Sequence, residues 1–209
     1  MTLLLNGCSY GESWASFPGL NLSLPGGSIA RSIRTTMEWI VRNHKPEYVF
    51  IPLTFVSRFE ISRIEQQNVP IEGSYIPGHY EHYDVIAQIS DSCYMCWDYA
   101  FMNIILFSAW LEQQGIKYLI WDQCNLFDKI HIRGFNGIEK LQLIENNSRI
   151  IPLFDFCGNQ YMYENGGTWL DNDEQQEPNV KHYTDESYVT LKEYLSKYMK
   201  DVLNEKVDW

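Results

Sequence analysis

Apolar and polar residues alternate along the chain in blocks of two kinds. Short apolar runs predict strands over residues 2–6, 48–53 and 117–122, with weaker runs over 20–24 and 149–153. Between these runs, apolar residues recur at the spacing of helices. Strands that alternate with helices are typical of an α/β fold, so the pattern predicts a mainly parallel sheet covered by helices.

Three predicted helices have clear boundaries. Ser28 is a predicted N-cap for a helix over residues 29–43, a long apolar helix is predicted over 92–114, and a last helix is predicted over 184–203, with Thr184 as its N-cap. The first helix has an apolar stripe formed by Ile29, Ile33, Met37, Ile40 and Val41. The last helix has a predicted buried stripe formed by Tyr188, Leu191, Tyr194, Leu195, Tyr198 and Val202.

The size of the chain fits one domain. With 209 residues, 45% of them hydrophobic, it is large enough to bury a core without disulfides or metals, so we expect a single domain over residues 1–209. Two stretches fit neither pattern: residues 61–91 are rich in Tyr, His, Pro and Gly, and residues 159–180 are acidic and rich in Gly and Asn. Long irregular segments of compact domains usually serve function, so we interpret both as substrate-facing loop insertions.

Charge and hydropathy exclude several function classes. The net charge is −11 and no basic run is present, so nucleic acid and anionic membranes are not expected as partners. The first apolar run is too short for a signal peptide and has no basic flank, and no apolar stretch approaches the length of a membrane span. We expect a cytoplasmic protein.

Neither of two short motifs with metal-ligand spacing predicts a metal site. Cys93 and Cys96 lie within a predicted apolar helix and have no second cysteine pair, while His79 and His82 lie in a predicted loop without a carboxylate partner. The five cysteines are odd in number and mostly have apolar neighbours, which is typical of reduced core thiols. We expect no cofactor.

The first predicted strand leads directly into Asn6-Gly7-Cys8-Ser9, a glycine-containing turn. In a parallel α/β sheet, the carboxyl ends of the strands face the crevice in which such folds bind ligands. Ser9 is therefore a candidate nucleophile. The alternative is that Ser9 only caps the helix that follows.

A serine hydroxyl needs a base within hydrogen-bond reach before it can act as a nucleophile. Among five histidines, His44 ends the first predicted helix and His131 lies in a polar loop. His182 immediately precedes the last predicted helix, and a loop at that position can return to the end of the first strand. His182 is therefore the candidate base, with a simple helix-entry residue as the alternative.

Four blocks of the chain, in this order, resemble the SGNH (GDSL-type) hydrolase superfamily. They are Gly7-Cys8-Ser9, the segment 21–28 with Gly26 and Gly27, the segment 51–60, and the segment that holds His182. The first block is most similar to that of small phage-encoded members with Gly-Cys-Ser. The resemblance implies that Ser9 is the nucleophile and His182 the base. It also implies an oxyanion hole formed by the N–H groups of Ser9 and Gly26, with Gly27 as the near alternative. Gly26 and Gly27 can equally be a plain turn.

The chain departs from the family pattern in two places. The third block lacks the family's asparagine, so Thr54 and Ser57 are the polar substitutes for the oxyanion hole. Where the family has an aspartate three residues before the histidine, this chain has Asn179, which can orient an imidazole without supplying charge. The alternative carboxylates for this position are Asp171, Asp173 and Asp185.

The resemblance implies a three-layer α/β/α, flavodoxin-like fold and a serine esterase or deacetylase. The expected substrate is a short acyl ester of a carbohydrate or other polar molecule, with Arg58, Tyr10 and Trp169 as binding residues. Arg58 would bind a carboxylate or phosphate of the substrate, unless it simply pairs with Glu60. Further aromatic faces for a sugar are expected from Trp14, Tyr75, Tyr80 and Tyr83. The alternatives are a non-catalytic binding protein of the same fold and an acyltransferase that uses the same serine.

Overall fold

A four-stranded parallel sheet forms the centre of the protein. The computed structural model describes residues 2–25, 27–54, 59–64, 70–75, 95–124, 138–153, 155–170 and 181–207. The sheet contains β1 (Leu3–Leu5), β2 (Leu20–Asn21), β3 (Tyr48–Leu53) and β6 (Lys117–Asp122), in the order β2-β1-β3-β6. Leu4 of β1 lies opposite Leu20 of β2, and Leu3 of β1 lies opposite Tyr48 of β3. Tyr48 in turn lies opposite Lys117 of β6. The predicted strands over 48–53 and 117–122 are confirmed residue for residue.

The two weaker strand predictions are only partly correct. β2 ends at Asn21, whose side chain accepts a hydrogen bond from the N–H of Ser23 over 3.0 Å. The predicted strand over 149–153 is a single parallel bridge between Ile150 and Ile120. In this bridge the N–H of Ile151 donates to the carbonyl of Ile120 over 2.9 Å.

Six helices cover the sheet and its edges in the described part of the chain. They are α1 (Ser9–Glu12), α2 (Ile29–Arg42), α3 (Met95–Gln114), α4 (Ile138–Glu145), α5 (Gly158–Glu164) and α6 (Asp185–Leu203). The Ser28 side chain caps α2 as predicted, accepting a hydrogen bond from the N–H of Arg31 over 3.0 Å. Thr184 is the N-cap residue of α6, but its side chain makes no capping bond. The predicted start of α3 at residue 92 lies outside the described residues.

Successive strand residues face opposite sides of the sheet and enter two separate cores. Leu4, Val49, Ile51, Tyr118 and Ile120 pack with α2 and α3 on one face. Leu3, Leu5, Phe50, Leu119 and Trp121 pack with α5 and α6 on the other. Strands buried on both faces explain why their sequences are continuous apolar runs. The α/β class with helices on both sides of an all-parallel sheet is thereby confirmed.

Two residues of the predicted helical stripes are exposed. Val41 is 76% exposed, because the residue beside it, Ile40, already faces the sheet and neighbouring helix positions are about 100° apart. Val202 is 51% exposed, and Met199, one turn earlier on α6, is fully buried. The prediction that Val202 is buried is therefore wrong.

Part of the stretch without a clear sequence pattern forms a hairpin. Strands β4 (Phe59–Ile64) and β5 (Pro70–Tyr75) pair antiparallel, with Phe59 opposite Tyr75, in a sheet of their own. Within the described helices, none is both long and apolar enough to cross a membrane. The described side chains also contain no group of three or more potential metal ligands.

Candidate active site

The parallel sheet brings three polar positions to its carboxyl edge. Ser9 follows β1, Thr54 follows β3, and Gln123 follows β6. Thr54 and Gln123 are buried and Ser9 is half-buried. These strands are adjacent and parallel, so their ends meet on the same side of the sheet, where ligands of α/β folds bind.

Close packing fixes the turn that carries Ser9. A Cβ atom at Gly7 would lie 2.8 Å from Cγ of Pro52, and one at Gly11 would lie 2.4 Å from Oγ of Ser23. Glycine at these two positions therefore allows α1 to press against the end of β3 and the segment after β2. Ser9 is the first residue of α1, where an N–H group has no acceptor within the helix.

His182 reaches this turn from the other end of the chain. Its Nε2 lies 2.9 Å from Oγ of Ser9, a hydrogen-bond distance between residues 173 positions apart. His44, by contrast, is exposed in the connection between α2 and β3, which lies at the opposite edge of the sheet. The other candidates, His79, His82 and His131, lie outside the described residues. The structure thus brings together the serine and the histidine named from the sequence.

Aromatic side chains pack beneath the imidazole. The ring of Tyr10 stacks on that of His182 with centroids 4.9 Å apart and planes 18° apart. The hydroxyl of Tyr188 donates a hydrogen bond to the carbonyl of Tyr10, and the ring of Tyr188 stacks on Trp14. Burial raises the pKa of Tyr188 well above its usual value, so this hydroxyl remains a donor.

These contacts change the roles expected for two aromatic residues. Trp14 is only 2% exposed and packs between Tyr188 and Phe17, so its prediction as a sugar-stacking face is wrong. Tyr10 is 3% exposed and its ring contacts His182. The sequence placed Tyr188 on the buried stripe of the last helix but gave no signal for its hydrogen bond to α1.

Backbone pairing holds the segment around His182. The N–H of Leu170 donates to the carbonyl of His182 over 3.0 Å, and the N–H of Thr184 donates to the carbonyl of Thr168 over 2.9 Å. The Oγ of Ser187, on α6, bonds to both the N–H and the carbonyl of Thr168. The histidine therefore lies on a short antiparallel pairing rather than on a free loop.

Trp169 belongs to the same pairing. It forms an antiparallel bridge with Tyr183, and the ammonium group of Lys181 lies 3.5 Å from the centre of its ring. One face of the indole is therefore covered by a cation from the protein itself. A sugar could stack only on the other face.

The remaining predicted site residues fall into two groups. The N–H of Gly27 donates to the carbonyl of Leu24 over 3.1 Å, so the near alternative for the oxyanion hole is already engaged. The carboxylate of Asp185 accepts two hydrogen bonds of 2.9 Å from Ser16, which tie the start of α6 to the segment after α1. Outside the described residues lie Gly26, Ser57, Arg58, Asp171, Asp173 and Asn179, and the side chain of Tyr75 is also not described.

Two buried thiols lie at the same edge of the sheet as Ser9. Cys8 precedes the serine and Cys124 follows β6, and neither forms a disulfide. Burial raises the pKa of Cys124 well above its usual value, with neighbouring Cys8 as the next contribution, so Cys124 keeps its proton. A buried protonated thiol is a poor nucleophile, so Cys124 does not compete with Ser9.

Comparisons with known proteins find only distant similarity to this chain. No protein-family model and no curated protein matches it. Among solved structures it is similar to the crystal structure of a "putative acylhydrolase" from Bacteroides fragilis NCTC 9343, with a TM-score of 0.46 and 13% identity. That similarity covers 97% of this chain and 88% of the other. The sheet order and the two-sided packing themselves define a three-layer α/β protein with a serine-histidine contact at the carboxyl edge of its sheet.

Proposed function

We propose that the protein is a serine ester hydrolase of the SGNH type that cleaves a short acyl ester of a carbohydrate or other polar molecule. The observation that carries this proposal is the 2.9 Å contact between Oγ of Ser9 and Nε2 of His182. A serine paired with a histidine at this distance has the arrangement of an activated nucleophile and its general base. The order of the four sequence blocks supports the same assignment.

The reaction follows from this pair. Oγ of Ser9 attacks the ester carbonyl carbon while its proton passes to Nε2 of His182. The tetrahedral intermediate collapses, and His182 returns the proton to the leaving alcohol oxygen. A water molecule then gives a proton to His182 and its oxygen attacks the acyl-serine carbonyl carbon. When this second tetrahedral intermediate collapses, the bond to Oγ of Ser9 breaks, His182 returns the proton to that oxygen, and the carboxylic acid is released.

The oxyanion needs donors on the side opposite the histidine. The N–H of Ser9 is one, because the first residue of a helix has no internal acceptor. Gly26 would supply a second N–H and Thr54 a hydroxyl, since Thr54 directly follows β3, the strand next to β1. Each such donor is typically worth about 10²–10³ in turnover.

His182 acts as a base only in the tautomer that leaves Nε2 unprotonated, so Nδ1 must carry the proton. We assign the acceptor for Nδ1 to the amide oxygen of Asn179. The stack of Tyr10 on the imidazole supports the ring orientation and keeps water from that face. Arg58 and Trp169 remain the proposed substrate-binding residues, with only one face of Trp169 open. Tyr10 is buried and packs against the imidazole, so it is not proposed to contact the substrate.

A covalent probe tests the nucleophile directly. A fluorophosphonate should modify Ser9, as mapped by mass spectrometry, and the protein should hydrolyse p-nitrophenyl acetate. Ser9→Ala should abolish both, with little change in thermal stability. Ser13→Ala is the matched control: Ser13 lies at the end of the same short helix, and its hydroxyl bonds to the carbonyl of Ser9. It should keep labelling and activity.

The same experiment separates the alternatives. If the wild-type protein is not labelled and hydrolyses the ester no faster than Ser9→Ala, the chain is a binding protein and not an enzyme. Two features favour this alternative: Asn179 in the usual aspartate position, and the missing asparagine of the third block. If labelled protein forms but an added sugar hydroxyl captures the acyl group in preference to water, the activity is acyl transfer.

A further inference from the structure

Four buried polar groups behind the His182 segment form one continuous chain of hydrogen bonds. Nε1 of Trp121 donates to Oε1 of Gln123, and Nε2 of Gln123 donates to Oδ1 of Asn159, both over 2.6 Å. Nδ2 of Asn159 then donates to the carbonyl of Lys181 over 3.1 Å. Each of the four residues is at most 5% exposed, so these bonds lie in a low-dielectric interior where they are strong.

The direction of this chain is fixed at its first member. An indole N–H can only donate, so Gln123 must turn its oxygen to Trp121 and its nitrogen to Asn159. Asn159 must in turn accept with its oxygen and present its nitrogen to the carbonyl of Lys181. Rotating either amide by half a turn would place two donors or two acceptors together.

The backbone around Gln123 and Asn159 brings these side chains within hydrogen-bond distance. The main-chain carbonyl of Gln123 accepts hydrogen bonds from the N–H of Asn159 over 3.0 Å and from Sγ of Cys157 over 3.3 Å. A Cβ atom at Gly158 would lie only 2.6 Å from Oε1 of Gln123, so glycine allows α5 to approach this closely. Burying two amides is costly unless their polar atoms are paired, and the pairing ends on the peptide directly before His182.

We propose that Asn159 is a positioning residue for His182, acting through the carbonyl of Lys181, with Gln123 and Trp121 orienting its amide. This inference rests on the proposed function, in which His182 is the base for Ser9. The Asn159 bond holds the peptide before the histidine, and the N–H of Leu170 holds the carbonyl after it. Together they set where the imidazole meets Ser9.

The test compares Asn159→Asp with a matched control. Asn159→Asp keeps the shape but replaces the donor by an oxygen that faces the carbonyl of Lys181. The control, Asn147→Asp, also removes a side-chain amide donor. In the wild type this donor bonds to the hydroxyl of Tyr118 over 2.7 Å, away from Ser9. Fluorophosphonate labelling of Ser9 should slow by about 10²-fold in Asn159→Asp, the loss typical of a misplacement of about 1 Å, and should be unchanged in the control.

A crystal structure of the variant decides the inference independently of activity. The separation of Nε2 of His182 and Oγ of Ser9 should increase beyond hydrogen-bond distance in Asn159→Asp. A retained 2.9 Å contact overturns the inference whatever the labelling rate. If wild-type protein is not labelled, the proposed function fails, and the structure still shows whether Asn159 positions the histidine.

A second variant covers the case in which Asn159→Asp does not fold. Gln123→Met is close in size and removes the polar link that orients Asn159. Its labelling should also slow. The variant with both changes should be no slower than Asn159→Asp alone, because the two substitutions break the same series of hydrogen bonds. Multiplying effects would mean that the two residues act separately, which contradicts the inference.

Discussion

Removing the Tyr188 hydroxyl tests the packing beneath the candidate base. Tyr188→Phe keeps the ring stacked on Trp14, at 5.4 Å between centroids, but leaves the buried carbonyl of Tyr10 without this donor. An unpaired buried acceptor costs about 1–3 kcal/mol. For a chain of 209 residues, each kcal/mol lowers Tm by about 2–4 °C, so a loss of about 2 kcal/mol corresponds to about 4–8 °C.

The assay is urea unfolding of Tyr188→Phe beside Tyr198→Phe. Tyr198, on the same helix, also donates to a backbone carbonyl, that of Ser148 over 2.9 Å, but this bond is exposed and water can replace it. We expect Tyr198→Phe to cost less than about 0.5 kcal/mol. Because burial raises the pKa of Tyr188 well above its usual value, the loss should stay constant from about pH 6 to 9. Equal losses in the two variants would refute the role of burial.

Three further predictions concern other contacts. Burial raises the pKa of Glu205, but the hydrogen bond and charge of Arg149 outweigh it, so the pKa is lowered overall. Glu205→Gln should therefore be about 1–3 kcal/mol less stable than wild type at neutral pH, measured by urea unfolding. This difference should disappear as the pH falls through the acid range and Glu205 takes up a proton. A difference that stays constant with pH would contradict the prediction. Gly11→Ala should lower Tm and slow labelling of Ser9, because its Cβ would overlap Oγ of Ser23; unchanged values would show that the turn can widen. Asn179→Asp should raise esterase turnover by supplying charge to the imidazolium, unless a carboxylate already fills that place, in which case turnover will not rise.

The sheet could be predicted from the sequence because its strands are buried on both faces. Runs such as Tyr48–Leu53 are apolar at nearly every position, which few other elements are. The helical stripes were less reliable. Val41 and Val202 are apolar but exposed, since a helix offers more apolar positions than its buried face can use. Tertiary packing, not the pattern, selects among them.

Two side chains of the candidate site could be named from position alone. Ser9 follows the first strand and His182 precedes the last helix, and a parallel sheet brings those two positions to one edge. The bond between Gln123 and Asn159 had no such signal. Gln123 does follow a strand, but its partner lies 36 residues later, on a helix that the sequence pattern did not reveal.

The contact between Ser9 and His182 is assembled from distant parts of the chain. The serine is fixed by the strand ends near Pro52, whereas the histidine is fixed by the peptide of Lys181 and by Leu170. A displacement of the strand ends moves only Ser9, and a displacement of the Lys181 peptide moves only His182, so either one changes the 2.9 Å distance between Oγ and Nε2. Catalysis is sensitive to displacements of about 1 Å, so buried substitutions that leave the fold intact can still lower activity. Stability and turnover should therefore be measured separately for each variant at this edge of the sheet.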